Sequence, residues 1–142
     1  MAAMTPASVR ARIMTLLEDS DPWLTRSAEA FSLDRQPNAV LDNSYTLRQE
    51  LVKENSQTSN VTARIDRVTL TIGRLLKTDG EAAIRALQDV LDDVDRRVRA
   101  DGVSQGYHVW PQSNRITRPD GRDYCLGELA WTCDYDFSET VV

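Results

Sequence analysis

The segment from Thr78 to Gly102 constrains the fold more than any other part of the chain. Thr78 and Glu81 have the spacing of a capping box, in which the hydroxyl accepts from an orphan backbone N–H and the glutamate reaches back. Ile84, Leu87, Leu91, Val94 and Val98 then recur at intervals of three and four. That periodicity puts them on one narrow aliphatic stripe, with Asp92, Asp93, Asp95, Arg96, Arg97 and Arg99 mostly on the rest of the surface. Gly102 supplies a left-handed stop. A stripe this narrow needs a flat apolar partner, and the flanking segments read as strands. The expected fold class is α+β: a mainly antiparallel sheet, one long helix packed across it, and a short N-terminal helix.

That first helix opens at Thr5-Pro6, a hydroxyl N-cap followed by a proline where its missing N–H costs nothing. Val9, Ile13, Leu16 and Leu17 form its apolar face, and Asp21-Pro22 ends it. From Pro22 to Asn43 the periodicity is lost. Gln36-Pro37-Asn38 and Asp42-Asn43-Ser44 are turn chemistry, Ala28 to Asp34 is a short strand or a helical turn, and Ala39 to Leu41 is a buried connection.

Tyr45, Leu47 and Leu51 alternate with Thr46, Arg48 and Glu50, with Gln49 as a polar residue in the inward phase. Lys53 to Asn60 is wholly polar and lacks glycine and proline, so either the strands run outward as a polar arm or this is a solvated loop. In the next strand Val61, Ala63 and Ile65 hold one phase and Val68, Leu70 and Ile72 the other. That change of phase predicts a bulge or bend at Asp66-Arg67. Gly106 to Pro111 is a short strand stopping at proline, with Asn114 to Thr117 as a continuation, and Pro119-Asp120-Gly121 is a turn. The last strand puts Leu129, Trp131, Cys133, Tyr135 and Phe137 on one face and Glu128, Ala130, Thr132, Asp134 and Asp136 on the other. Gly127 marks a bulge or the close approach of another backbone.

A chain of 142 residues, 41% hydrophobic and 27% charged, reads as one globular domain spanning 1–142. Its net charge of -5 gives no counterion-release energy, which argues against general or sequence-specific nucleic-acid binding. An anionic membrane surface is equally ill matched, and no apolar run is long enough to span a bilayer. No basic and apolar leader is visible, so Asn60-Val61-Thr62 is not expected to be glycosylated. Cys125 and Cys133 share one strand, which separates them by roughly 26 Å and makes two reduced, buried thiols the expectation.

Catalytic chemistry has little to build on. His108 is the only histidine and is expected to be a strand residue satisfied by a local hydrogen bond. Asp92, Asp93 and Asp95 precede Arg96, Arg97 and Arg99 at helix-face pairing distance. Thr78-Asp79-Gly80-Glu81 lacks the glycines and lysine of a phosphate loop. No enzyme, cofactor or metal is therefore expected. Glu128, Asp134 and Asp136 form an acidic strand face, either simply solvated or a surface that repels DNA passing close by.

Three features together point further: the Gln36-Pro37 turn before Tyr45-Thr46-Leu47, the helix from Glu81 to Arg99, and the terminal stretch from Leu129 to Phe137. In this order they resemble the tail terminator (tail completion) proteins of long-tailed bacteriophages, the lambda-type family. The resemblance implies a small α/β wedge that forms a homo-hexameric ring, caps the tail tube and offers a docking surface to a head-side connector or stopper protein. It implies a place in the virion at the head-proximal end of the tail, after assembly in the host cytoplasm, with neither catalysis nor cofactor. Under this reading, residues chosen for expected exposure become the candidate assembly interface: Lys53, Glu54, Asn55, Ser56, Gln57, Thr58, Ser59 and Asn60, with Thr132, Asp134 and Asp136. Two alternatives stay open. One is another head–tail connector or minor tail protein. The other is a cytosolic module whose sheet holds a small ligand near Tyr107, Trp110 and Trp131.

Overall fold

The computed structural model describes residues 5–20, 25–26, 42–56, 61–76, 79–119 and 122–138. In chain order its elements are α1 (Pro6–Ser20), β1 (Thr25–Arg26), β2 (Ser44–Ser56), β3 (Val61–Leu75), α2 (Gly80–Gln105), β4 (His108–Thr117) and β5 (Tyr124–Ser138). The strands form one sheet in the order β1-β2-β3-β5-β4. The four long strands pair antiparallel, and the two-residue β1 adds a parallel contact at Ser44 and Tyr45. The fold is α+β, as the patterning predicts. The short β1 had no sequence signal. The segments 28–34 and 39–41 lie outside the described residues.

Both helices lie on one face of the sheet. Val9, Ile13 and Leu17 of α1 and Leu87, Leu91, Val94 and Val98 of α2 meet Tyr45, Val68, Leu70, Ile72, Leu129, Trp131 and Cys133 in a single core. Each of those helix residues is fully buried, which is worth about 1.5–3 kcal/mol per side chain. At the start of α1, Ser8 N–H donates to Thr5 Oγ1 (3.1 Å) and Thr5 N–H to Ser8 Oγ (3.0 Å), a reciprocal cap.

The long helix is displaced at both ends from the sequence reading. Its N-cap is Asp79, whose carboxylate accepts from Ala82 N–H; Thr78 lies outside the described residues. Its left-handed C-cap is Gly106 (φ 90°), so the helix runs on past Gly102. Gly102 serves a different purpose: it is buried, and a Cβ there would meet the carbonyl oxygen of Tyr107 at 2.5 Å. Gly127 likewise marks a close approach without a bulge, because what crowds it are the side chains of Leu87 and Leu91.

The bulge expected in β3 is on its partner instead. β3 pairs with β5 without interruption from Val61↔Ser138 to Leu75↔Tyr124, whereas the β2–β3 register slips between Leu51 and Lys53 and leaves Val52 outside the ladder. β3 keeps one inward phase throughout; the apparent switch arises because its inward positions 64 and 66 are Arg and Asp rather than apolar. Asp66 is fully buried. It accepts hydrogen bonds from Gln49 Nε2 (2.7 Å), Arg64 Nε (2.7 Å) and the Tyr135 hydroxyl.

β4 does not stop at Pro111. It continues to Thr117 with a register slip at Gln112, and Pro111 is tolerated because β4 is the last strand of the sheet.

Candidate assembly surface

The polar stretch after Leu51 is an arm. Beyond the bulge, Lys53, Glu54, Asn55 and Ser56 stay in the ladder opposite Ile65, Arg64, Ala63 and Thr62. Gln57, Thr58, Ser59 and Asn60 lie outside the described residues. On the helix side of the sheet the arm is polar: Arg64 pairs with Asp66 at 2.7 Å and with Glu54 at 3.6 Å. Leu51 shares that side and is half exposed, so the helical layer no longer covers the sheet there. Glu54 therefore faces the opposite way from Lys53.

On the other side, Lys53 of the first group of expected interface residues shares the sheet surface with the second group, Thr132, Asp134 and Asp136. Registers across four strands align Lys53, Ile65, Asp134 and His108 in one row, and across three align Asn55, Ala63 and Asp136 in another. A third row runs Glu50, Arg67, Thr132, Trp110. Strands about 4.8 Å apart put Lys53 and Asp134 on one continuous surface roughly 10 Å wide at that row. Thr132, Asp134 and Asp136 are each partly exposed there. Among the described residues, no helix covers this side.

Its charge is mixed, which corrects the reading of an acidic face. Arg115 pairs with Glu128 at 3.2 Å and Arg48 with Glu50 at 2.9 Å, while Arg67 and Lys53 supply further cations. A single strand shows only its own phase, and the acids of β5 are offset by bases from β2, β3 and β4. His108 is exposed and stacks on Trp110 with ring centroids 6.0 Å apart, in place of the expected local hydrogen bond.

Of the aromatic residues suggested for a ligand, Tyr107 and Trp110 line one groove between the end of α2 and β4, whereas Trp131 is not part of it. Trp131 is fully buried beneath α2 and donates from Nε1 to Asp95 at 2.7 Å. Tyr107 is buried and donates to Asp101, whereas Trp110 is half exposed on the open side. The acids of α2 do form the expected helix-face pairs, Asp93 with Arg96 and Arg97 and Asp95 with Arg99. They also reach further than the sequence shows. Asp93 accepts from Ser20 of α1, and Asp92 from Asn114 of β4 at 3.0 Å. Those bonds, first from Ser20 and then from Arg97 and Arg96, hold the Asp93 carboxyl well below the usual range. Arg12 and then Tyr107 do the same for Asp101. Such shifts here belong to structural ties of α2 to α1 and to Tyr107.

Cys125 and Cys133 are free and buried, and burial pushes the Cys133 thiol up to about 12. Among the described residues, no three His, Cys, Asp or Glu side chains gather as a metal site, and no helix is long and apolar enough to cross a membrane. No known family model matches the sequence, and no curated protein matches it.

Proposed function

We propose that this protein is a structural virion subunit, a tail terminator that assembles into a ring, caps the tail tube and joins it to the head-side connector. The reading rests on the resemblance carried by the element order and is supported by a fold of the required class. The observation that carries it further is the merging of the arm and β5 into one surface: Lys53 and Asp134 share a row, as do Asn55 and Asp136. A polar, mixed-charge sheet face of this kind suits reversible docking between subunits better than burial in a permanent core. Contacts to the tube are assigned to the part of this face around Asp134, and contacts between copies to the sheet's two edges, with Lys53 at the β2 edge. The chain acts by assembly, with itself, the tube protein and the connector as partners and without catalysis.

The test is to add the purified protein to polymerising tail tubes and image the ends. Rings at tube termini and arrested growth are expected. Tubes that grow unaltered, with no bound protein, overturn the reading. Binding to connectors in the absence of any effect on tubes favours the neighbouring one, a head-side connector.

A further inference from the structure

Among the described residues, the large hydrophobic side chains left exposed are Leu51 and Val52 (51% each), Val103 (89%) and Trp110 (50%). They fall into two pairs. Leu51 and Val52 sit at the β2 bulge; β1 covers β2 only at Ser44 and Tyr45, so the bulge is open on that side among the described residues. Val103 and Trp110 line a groove of about 660 Å³ between the end of α2 and β4. Two strands, β3 and β5, separate the pairs, so they occupy opposite margins of the sheet. Neither pair can cover the other within one chain.

The groove and the bulge are also complementary in charge. The Gly106 and Tyr107 N–H groups cap the Gly102 carbonyl, but the last turn of α2 carries no basic side chain, so no cation of its own offsets the negative end of the helix dipole. Arg99, the cation lining the groove, is held by Asp95 at 2.9 Å. The bulge is followed at once by Lys53, which is exposed.

We propose that Leu51 and Val52 of one copy seat in the groove lined by Val103 and Trp110 of the next, with Lys53 at the terminal carbonyls of that α2. The contact is heterologous, since different patches meet, and it leaves an unused bulge and an unused groove at the two ends of any open chain of copies. Repetition then gives a ring if the rotation closes. The proposal deepens the self-assembly part of the reading above and rests on it, but requires nothing of tail tubes.

Val52→Asp removes the bulge and keeps the groove; Val103→Asp does the reverse. Both positions are exposed, so unchanged melting curves are expected and serve as the control. By light scattering up to millimolar concentration, each variant alone stays at the mass of one chain, 16.0 kDa. An equimolar mixture forms a dimer of one chain of each kind and grows no further. Wild type forms larger species. For a weak wild-type contact, a chain carrying both Val52→Cys and Val103→Cys gives a ladder of cross-linked oligomers on mild oxidation, while either cysteine alone stops at dimers. Variants that assemble like wild type, a mixture without heterodimers, or a doubly substituted chain without a ladder each overturn the proposal. Assembly that follows this pattern with no effect on tube growth retains the contact and removes the terminator reading.

Discussion

A Cβ on Gly102 would lie 2.5 Å from the backbone carbonyl oxygen of Tyr107, so the long helix and the chain leading into β4 touch at that glycine. In an exposed helix interior, Gly→Ala stabilises by about 1 kcal/mol. Here the sign reverses, because the obstructing atom is backbone and cannot rotate away. Gly102→Ala is expected to destabilise by about 1–3 kcal/mol in urea unfolding, the range of an overpacked site. Unchanged or increased stability would mean that β4 gives way freely.

The buried knot at Asp66 is expected to behave asymmetrically. Tyr135→Phe removes one of its donors and should cost about 1–3 kcal/mol, since the acceptor is charged. Asp66→Ala removes the acceptor shared by Arg64, Gln49 and Tyr135, leaves Arg64 its pair with Glu54, and should cost about 3–5 kcal/mol. In the double variant the loss should be well below the sum, a coupling that urea titration of all four proteins measures directly.

Stability should fall in acid through Asp93 and Asp101. Both carboxyls have folded pKa values below their unfolded ones, so between the two values the unfolded chain binds more protons. Their contribution is complete above the unfolded value of about 3.9 and drains away as pH drops towards the folded values. Asp93→Asn with Asp101→Asn should flatten the stability profile below about pH 4, and a slope unchanged by both substitutions would exclude these ties as its source.

The thiols offer a simple check on the sheet. Burial raises both, Cys133 to about 12, and no disulfide links them. A thiol reagent at pH 8 should label neither quickly in the folded protein and both after unfolding. Rapid labelling of either would place that face of β5 in solvent.

Surface charge can be changed without touching the core. Lys53→Glu and Asp134→Arg lie on the open face and should each leave stability within about 0.5 kcal/mol. Tube capping, under the proposed function, should drop sharply in Asp134→Arg. Normal capping by that variant would move the docking face elsewhere.

Much of this architecture could be read from spacing. The stripe of Leu87, Leu91, Val94 and Val98 and the alternation in β5 are strong because each residue buries against something, and periodicity records burial. What escaped has a common cause. The phase of β3 was misread because Asp66 and Arg64 occupy inward positions as a satisfied polar knot, which no pattern of apolar residues reveals. The long-range bonds of Asp92, Asp93 and Asp95 were invisible because i,i+4 pairing already explained their charges. The mixed character of the open face depends on which strands are neighbours: the acids of β5 acquire Arg67, Lys53 and Arg115 only once the strand order is known. For the candidate interface, exposure was legible at Lys53 and Glu54, but the alignment of the arm with Asp134 and Asp136 came from register.

The uninterrupted pairing of β3 with β5 has a kinetic side. It joins two hairpin-like halves, β2–β3 and β4–β5, across a loop that contains all of α2 and β4. Each half can form from neighbours in sequence, but the central seam must wait for that loop to close, and β5 is the last of these strands to leave the ribosome. Until then β3 exposes an unpaired edge carrying Val68, Leu70 and Ile72. The nascent chain is therefore most vulnerable to misassociation at the centre of its sheet, not at the margins it keeps open in the native state.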